Sequence, residues 1–121
     1  MTTTAPFPDE ITRVVALLKE KKAENICIID LKDVAQFSQY FIICSALVEK
    51  HAQTLAEHLR VSLKKTLKLM PLHVEGFANG QWILTDYGYF VCHIMLAEAR
   101  SYYDLERLWQ TANIHYIPDP A

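Results

Sequence analysis

Residues 81–96 carry the pattern that most restricts the fold of this chain, because they read as two strands joined by a tight turn. In the first strand Trp82 and Leu84 share one face, since successive side chains of a strand point to opposite sides. The pair Tyr87-Gly88 is typical of a turn. The second strand, residues 89–96, alternates in the same way and places His93 and Met95 on one face. The pattern predicts an antiparallel hairpin.

The segments before this hairpin predict two buried strands and a long helix. Residues 26–31 and 40–44 are apolar without alternation, which is typical of strands buried on both faces. A helical stripe follows, formed by Ala52, Leu55, Ala56, Leu59, Leu63 and Leu67. We place the start of this helix near Ser45, a plausible N-cap region, and its end before Pro71.

The remaining elements complete an α/β order. Residues 1–8 form a predicted flexible leader, and a helix begins at Asp9. A brief strand at residues 72–75 precedes the hairpin, and residues 97–109 form a helix broken near Asp104. The order is α-β-β-α-β-β-β-α, in a single domain at residues 9–109 followed by a mobile C-terminal tail at 110–121.

This order predicts a five-stranded mixed sheet flanked by helices. The second strand, the long helix and the third strand are expected to form a parallel βαβ unit. The last three strands are expected to pair as antiparallel hairpins. No repeat, low-complexity segment or internal domain boundary interrupts the pattern.

The composition limits the class of partner. The chain has 121 residues, 51% hydrophobic and 21% charged, with a formal net charge of −2. These values fit one globular domain, and the charge argues against direct sequence-specific binding of nucleic acid, which normally requires a basic face. A basic protein is a compatible partner. No signal peptide is visible and no apolar run approaches the ~20 residues of a membrane span, so we expect a cytoplasmic protein without a membrane partner.

The three cysteines and the histidines predict no catalytic chemistry. Cys27, Cys44 and Cys92 lie in apolar strands, their number is odd, and their spacing matches no zinc pattern, so we expect reduced buried thiols. His51 and His58 are about 10 Å apart along the helix axis, which is too far for one metal ion. The other histidines are expected to be satisfied or exposed side chains.

The acidic residues at strand ends lack the companions that a catalytic site needs. Asp30, Glu75 and Asp86 each end a strand, where carboxylates can hold a metal or act as bases. The chain contains no D-x-D pair, glycine-rich phosphate loop or Gly-x-Ser-x-Gly elbow. We therefore predict no catalytic residue, metal or cofactor.

Aromatic residues concentrate in the last third of the chain, at Trp82, Tyr87, Tyr89, Tyr102, Tyr103 and Trp109. Core packing is the preferred interpretation for the terminal helix, at Leu105, Leu108 and Trp109. Tyr87 lies in a tight turn and is hard to bury completely, and Trp82 lies on a two-faced strand near the sheet edge. Exposed Trp and Tyr beside Asp86 have the composition of a protein-binding hot spot.

Four segments in this order resemble one family. They are HVEG at residues 73–76, GQWILTDYG at 80–88, VCHI at 91–94 and RSYYDLERLW at 100–109. Together they resemble the Iojap family of ribosomal silencing factors, and the resemblance covers about residues 9–109. The chain departs from the family pattern at Gln39, where the family usually has Asp, and at Ala46 and Leu47, where it has Gly and a small polar residue.

The resemblance implies a nucleotidyltransferase-like fold without catalytic acids and a role that is not enzymatic. Family members bind the large ribosomal subunit through ribosomal protein uL14, block subunit joining and so repress translation when nutrients are scarce; homodimers also occur. On this chain we expect the protein-binding surface to centre on Trp82, Asp86 and Tyr87, with Met95, Glu98, Arg100 and Tyr102 around them. The alternative is a residual nucleotide-binding protein of the nucleotidyltransferase type, which Asp30 and Asp86 would serve.

Overall fold

The computed structural model describes residues 7–119 as a mixed sheet with helices on both faces. Its elements are α1 (Asp9–Glu20), β1 (Glu24–Asp30), β2 (Tyr40–Ala46), α2 (Glu49–Leu67), β3 (His73–Glu75), β4 (Trp82–Asp86), β5 (Phe90–Leu96), α3 (Ala97–Tyr103), α4 (Leu105–Leu108) and β6 (Asn113–Tyr116). The predicted α/β class is confirmed. Most of the predicted leader, residues 1–6, lies outside the described part. No described helix is long and apolar enough to cross a membrane.

The strand order is β3-β4-β5-β2-β1-β6. Strands β2 and β5 are parallel, and every other neighbouring pair is antiparallel. The last three predicted strands do pair as antiparallel hairpins. The predicted βαβ unit was wrong in its second strand, because β5 lies beside β2 while β3 lies at the sheet edge. The three residues of β3 are all exposed, whereas six of the seven in β5 are buried, so β5 suits the sheet centre.

The sheet has six strands, one more than predicted. The additional strand, β6, falls in the predicted mobile tail, and it pairs with β1 from Cys27 opposite Tyr116 to Asp30 opposite Asn113. Only one of its four residues is even partly buried, so its sequence lacks the apolar pattern of a strand. The unpaired edge of β1 supplies the backbone partners that hold it.

The first face of the sheet is covered by α1 and α2. Alternate residues of four strands point toward these helices, among them Ile28, Ile42, Ile83 and Ile94. The predicted stripe of α2 is buried from Ala52 to Leu63, and Leu67 is partly exposed. The helix begins at Glu49 and not near Ser45, because β2 continues through Ala46.

His51 joins the start of α2 to the end of α1. The Leu47 N–H donates to His51 Nδ1 at 2.9 Å, and His51 Nε2 lies 2.7 Å from the Lys21 carbonyl oxygen. Because Nδ1 accepts, Nε2 carries the proton and donates to that carbonyl. This histidine is satisfied by backbone groups, as predicted.

The second face of the sheet is covered only in part. Its buried apolar residues are Cys27, Ile29, Leu31, Phe41, Ile43, Val91, Met95 and Leu105. The short helices α3 and α4 pack over them, separated at Asp104, whose backbone is left-handed and whose carboxylate accepts from the Arg107 N–H at 3.4 Å. The predicted break at Asp104 is confirmed. Most of the candidate functional residues lie on this second face and its border.

Candidate protein-binding surface

A tight turn between β3 and β4 delivers Trp82 to the sheet. Gly76 has a φ of +79°, and a Cβ added there would lie 2.1 Å from the Trp82 carbonyl oxygen. The loop closes when the Gly80 N–H donates to the Gly76 carbonyl oxygen at 2.9 Å. Only glycine accommodates both the left-handed backbone and this close approach at residue 76. The turn therefore fixes where β4 begins, with Trp82 as its first residue.

The Trp82 side chain is held from two sides. Its indole Nε1 donates to His93 Nδ1 at 3.1 Å, and its ring lies against Tyr103, with 4.7 Å between ring centroids. Tyr103 in turn meets Tyr102 edge to face at 5.0 Å. Trp82 is half-buried as a result.

Rings continue from Trp82 across the second face. His93 meets the edge of Phe41 at 4.5 Å, and Phe41 meets Trp109 at 6.1 Å. Phe37 contacts both Phe41 and Trp109 and is 62% exposed. We call this row the aromatic face, which comprises Phe37, Phe41, Trp82, His93, Tyr102, Tyr103 and Trp109.

The border of the aromatic face at α3 is exposed and acidic. Tyr102 is 82% exposed and Tyr103 is 53% exposed. Together with Glu98 and Glu49 they line a shallow groove of about 330 Å³. Exposed aromatic rings beside carboxylates are typical of a protein contact surface.

Two of the predicted site residues are buried. Tyr87 is 9% exposed and stacks on Phe90 at 5.0 Å, on the side of the sheet that α1 and α2 cover. This turn residue was expected to be hard to bury completely, and a small part of it does stay exposed, but the turn folds its ring back onto the core. Burial raises the pKa of the Tyr87 phenol to about 12. Met95 is fully buried under the aromatic face. Met95 does not reach the surface, and Tyr87 exposes only a small part of its side chain.

Asp86 lies away from Trp82. It is at the opposite end of β4, four residues on, which is a separation of about 13 Å along a strand. Its Oδ1 accepts from the Gly88 N–H at 2.8 Å and so closes the β4–β5 turn. The structure therefore separates Trp82 from Asp86 and Tyr87, which the sequence had grouped. Trp82 instead packs on Tyr103, which in turn meets Tyr102.

Arg100 points inward and joins three elements. Its guanidinium donates to the Asn25 carbonyl oxygen of β1, to Ser45 Oγ of β2 at 3.0 Å and to Glu106 Oε2 of α4 at 3.0 Å. It also lies 3.6 Å from Cys27 Sγ. These bonds anchor α3, so Arg100 supports the surface from beneath.

Sequence reasoning did not select five members of the aromatic face as site residues. They are Phe37, Phe41, His93, Tyr103 and Trp109, the last of which was assigned to the core. The alternation of β4 and β5 contains the signal for His93, because it places this residue on the same face as Trp82. His93 is opposite Leu84 in the strand register, one diagonal step from Trp82. Leu108 differs in the other direction: it was assigned to the core and is 68% exposed. Trp109 and Leu105 do pack against the second face.

The cysteines are poor nucleophiles. All three are buried and free of disulfides, as predicted. Burial raises the pKa of Cys27 to about 11 and of Cys92 to about 12, and it raises that of Cys44 well above its ordinary value. These thiols stay protonated at neutral pH.

The acidic residues of the alternative interpretation do not converge. Asp30 and Asp86 lie on β1 and β4, three strands apart, which is about 14 Å across a sheet. Asp30 Oδ1 accepts from the Lys32 N–H at 3.1 Å, so both carboxylates serve local turns. Within residues 7–119 no three His, Cys, Asp or Glu side chains are grouped to hold a metal ion.

Comparison with known proteins decides the family. The model of the family described as ribosomal silencing factor during starvation, RsfS, matches residues 4–120. The chain belongs to this family. The resemblance seen in the sequence is therefore confirmed, and with it a regulatory class of protein that is not an enzyme.

Related sequences agree with the RsfS assignment. The ribosomal silencing factor RsfS of Bacillus subtilis is 32% identical over 97 residues, which are 80% of this chain and 81% of that protein. The mouse protein named mitochondrial assembly of ribosomal large subunit protein 1 is 33% identical over 103 residues. The match is 83% of this chain and 45% of the mouse protein, so the chain spans less than half of that relative.

Solved structures share the fold. A protein of Chromobacterium violaceum superposes with a TM-score of 0.79 at 30% identity, covering 84% of each chain. A protein of Bacillus halodurans superposes with a TM-score of 0.74 at 27% identity, covering 92% of this chain and 99% of that one. The fold of this chain is therefore shared with solved proteins of related sequence.

Proposed function

We propose that this RsfS-family protein binds the large ribosomal subunit through ribosomal protein uL14 and sterically blocks subunit joining, which represses translation under nutrient limitation. The observation that carries the proposal is the exposed border of the aromatic face. There, Trp82 is held in place by His93, and Tyr102 projects with 82% of its surface exposed. The related names, which include a large-subunit assembly protein in mouse, support a ribosomal partner.

The charge of the surface fits a basic ribosomal protein. The chain carries a net charge of −2. Glu49 and Glu98 are both exposed and line the groove beside Tyr102 and Tyr103. Opposite charges accelerate association and orient the partner, while the buried aromatic contacts supply most of the affinity.

We divide the predicted site into contact and support residues according to their exposure. Trp82, Glu98 and Tyr102 are placed to touch the partner, and Asp86 lies at the far rim. Arg100, Tyr87 and Met95 support the surface from inside the fold. A steric block requires only that a stable body hold its place, so no catalytic group is needed.

The proposal extends to the free protein. We place a second copy of the chain, the homodimer that the resemblance implies, on the same aromatic face, so that dimer and ribosome complex compete. Sedimentation equilibrium of the free protein tests this, and loss of dimer in Trp82→Ala with an unchanged dimer in Phe77→Ala is the expected result. The compartment in which we place the protein is the cytoplasm, where bacterial ribosomes work.

The nucleotide-binding alternative receives no support from an observed site, because its two carboxylates are separated and occupied by turns. Calorimetric titration with ATP and magnesium tests it directly. We expect no heat of binding at millimolar nucleotide, and a saturable heat that Asp30→Asn or Asp86→Asn removes would revive the alternative.

Sedimentation with separated ribosomal subunits tests the proposed function. The wild-type protein should migrate with the large subunit and not with the small one. Trp82→Ala and Tyr102→Ala should each weaken that binding by about tenfold or more, the effect of truncating a hot-spot aromatic residue. Phe77→Ala is the matched control, because Phe77 is an aromatic residue that is 41% exposed but lies beside α2 and does not belong to the aromatic face. Absence of the wild-type protein from the large-subunit fraction would contradict the proposal.

A further inference from the structure

His93 is placed where an apolar residue would be expected. It lies in the middle of β5, between Leu84 of β4 and Ile43 of β2 in the strand register, and it is 3% exposed. Its neighbours on the same face of β5, Val91 and Met95, are apolar and buried. A buried imidazole needs hydrogen-bond partners for both ring nitrogens.

Within residues 7–119 only one of the two nitrogens has such a partner. Nδ1 accepts from the Trp82 indole N–H at 3.1 Å. An indole N–H can only donate, so Nδ1 is unprotonated and the proton of the neutral ring is on Nε2. Nε2 is buried without a hydrogen-bond partner among the described residues, and the nearest ring, Phe41, meets the imidazole at 4.5 Å between centroids.

The unpartnered Nε2–H makes His93 costly for stability. A buried donor without an acceptor loses the free energy of its hydration, which a leucine of similar volume would not. The imidazole supplies one thing that leucine lacks, an acceptor for the Trp82 indole. That indole packs on Tyr103, and Tyr103 packs on the exposed Tyr102.

We propose that His93 is a positioning residue, which holds the Trp82 indole in its binding orientation through the Nε2-protonated tautomer without itself touching the partner. The role rests on the proposed function in one respect, that Trp82 and Tyr102 form the surface that binds the large subunit. The geometry of the histidine does not depend on that function. Binding and stability are therefore expected to respond differently when His93 is changed.

Nitrogen-15 NMR of the free protein tests the geometry. In wild type at neutral pH the His93 resonances should show a protonated Nε2 and an unprotonated Nδ1. The Trp82 indole proton should shift in His93→Leu, and it should move back toward its wild-type position in His93→Asn, whose short amide places a carbonyl oxygen near the site of Nδ1. Trp109 provides an internal reference in the same spectra. A protonated Nδ1 in wild type would overturn the proposal, whatever the protein binds.

Binding to the large subunit tests the consequence. We expect His93→Leu to weaken co-sedimentation about tenfold, the effect of losing about 1.4 kcal/mol, and His93→Asn to recover most of it. Urea denaturation of the same variants should show that His93→Leu is at least as stable as wild type. If the wild type binds the large subunit and the folded His93→Leu variant binds it equally well, the positioning role is overturned. Failure of wild type to bind would instead overturn the proposed function, and the NMR result would still decide the tautomer.

Discussion

The guanidinium of Arg100 and the carboxylate of Glu106 meet at 3.0 Å where the two side chains are only 11% and 21% exposed. The pair joins α3 to α4, and the same guanidinium reaches the backbone of β1 and the Ser45 hydroxyl of β2. The Arg100 guanidinium thus holds the exposed border of the aromatic face in place from inside the fold. This relationship explains how two helices of seven and four residues keep a defined position on the sheet.

Arg100→Ala should destabilise the protein. It leaves the Glu106 carboxylate and two acceptors of β1 and β2 without their donor, which costs about 3 kcal/mol for a partly buried pair. Urea denaturation measures the change in the free energy of unfolding. Arg60→Ala is the control, because the Arg60–Glu57 pair is exposed and should contribute less than about 0.5 kcal/mol. Equal effects of the two variants would show that Arg100 is not the anchor described.

Gly76→Ala should be far more harmful than Gly88→Ala. Both glycines have positive φ, which costs an alanine about 1–2 kcal/mol. At Gly76 the new Cβ would also meet the Trp82 carbonyl oxygen at 2.1 Å, whereas at Gly88 the nearest atom is Leu72 Cδ1 at 3.5 Å. We expect Gly76→Ala to lower the thermal midpoint strongly and Gly88→Ala to lower it modestly. Similar midpoints for both would contradict the close approach at Gly76.

His93 should make stability fall in acid. Burial lowers the pKa of His93 from about 6.5 to about 4, so the unfolded chain takes up the proton before the folded one does. The stabilisation is complete above pH ~6.5 and is lost as the pH falls toward ~4, by at most roughly 3 kcal/mol. Urea denaturation between pH 7 and pH 4 measures this slope. His93→Leu should flatten this dependence of stability on pH. Substitution of the exposed His73 by Gln is the control and should leave the dependence unchanged. If His93→Leu shows the same dependence as wild type, other groups cause it.

A photoreactive side chain at residue 102 should identify the partner. With benzoylphenylalanine in place of Tyr102, irradiation of the protein with large subunits should yield a covalent adduct with uL14, because Tyr102 is the most exposed ring of the aromatic face. The same group at Phe77 is the control and should yield no such adduct. An adduct with a different ribosomal protein from residue 102 would preserve ribosome binding and exclude the proposed partner.

The sequence predicts those elements whose buried side chains recur at the regular spacing of a helix or a strand. The stripe of α2 and the alternation of β4 and β5 both placed their side chains on the correct faces. β6 could not be predicted, because a strand with exposed side chains is held by the backbone of β1 and leaves no apolar pattern. The partner of β2 was assigned to β3 by chain order, whereas the length and burial of β5 decide the pairing.

The sequence predicted the residue types of the candidate site better than the positions of their side chains. The aromatic and acidic content of residues 82–102 predicts a contact surface, and Trp82 and Tyr102 both belong to the aromatic face. Tyr87 was misplaced because a turn residue can fold its ring inward, which depends on the space beside Phe90. Arg100 was misplaced because its partners, Asn25 and Ser45, are distant in sequence and meet it only in the folded sheet.

The central claim is that occupation of the large subunit prevents subunit joining, and light scattering of mixed subunits tests it most directly. Large subunits are first incubated with the protein and then mixed with small subunits. We predict that wild type and Phe77→Ala reduce the scattering increase in proportion to the large subunits occupied, while folded Trp82→Ala and Tyr102→Ala leave joining nearly unimpaired. Normal joining on large subunits that are saturated with wild-type protein would contradict it.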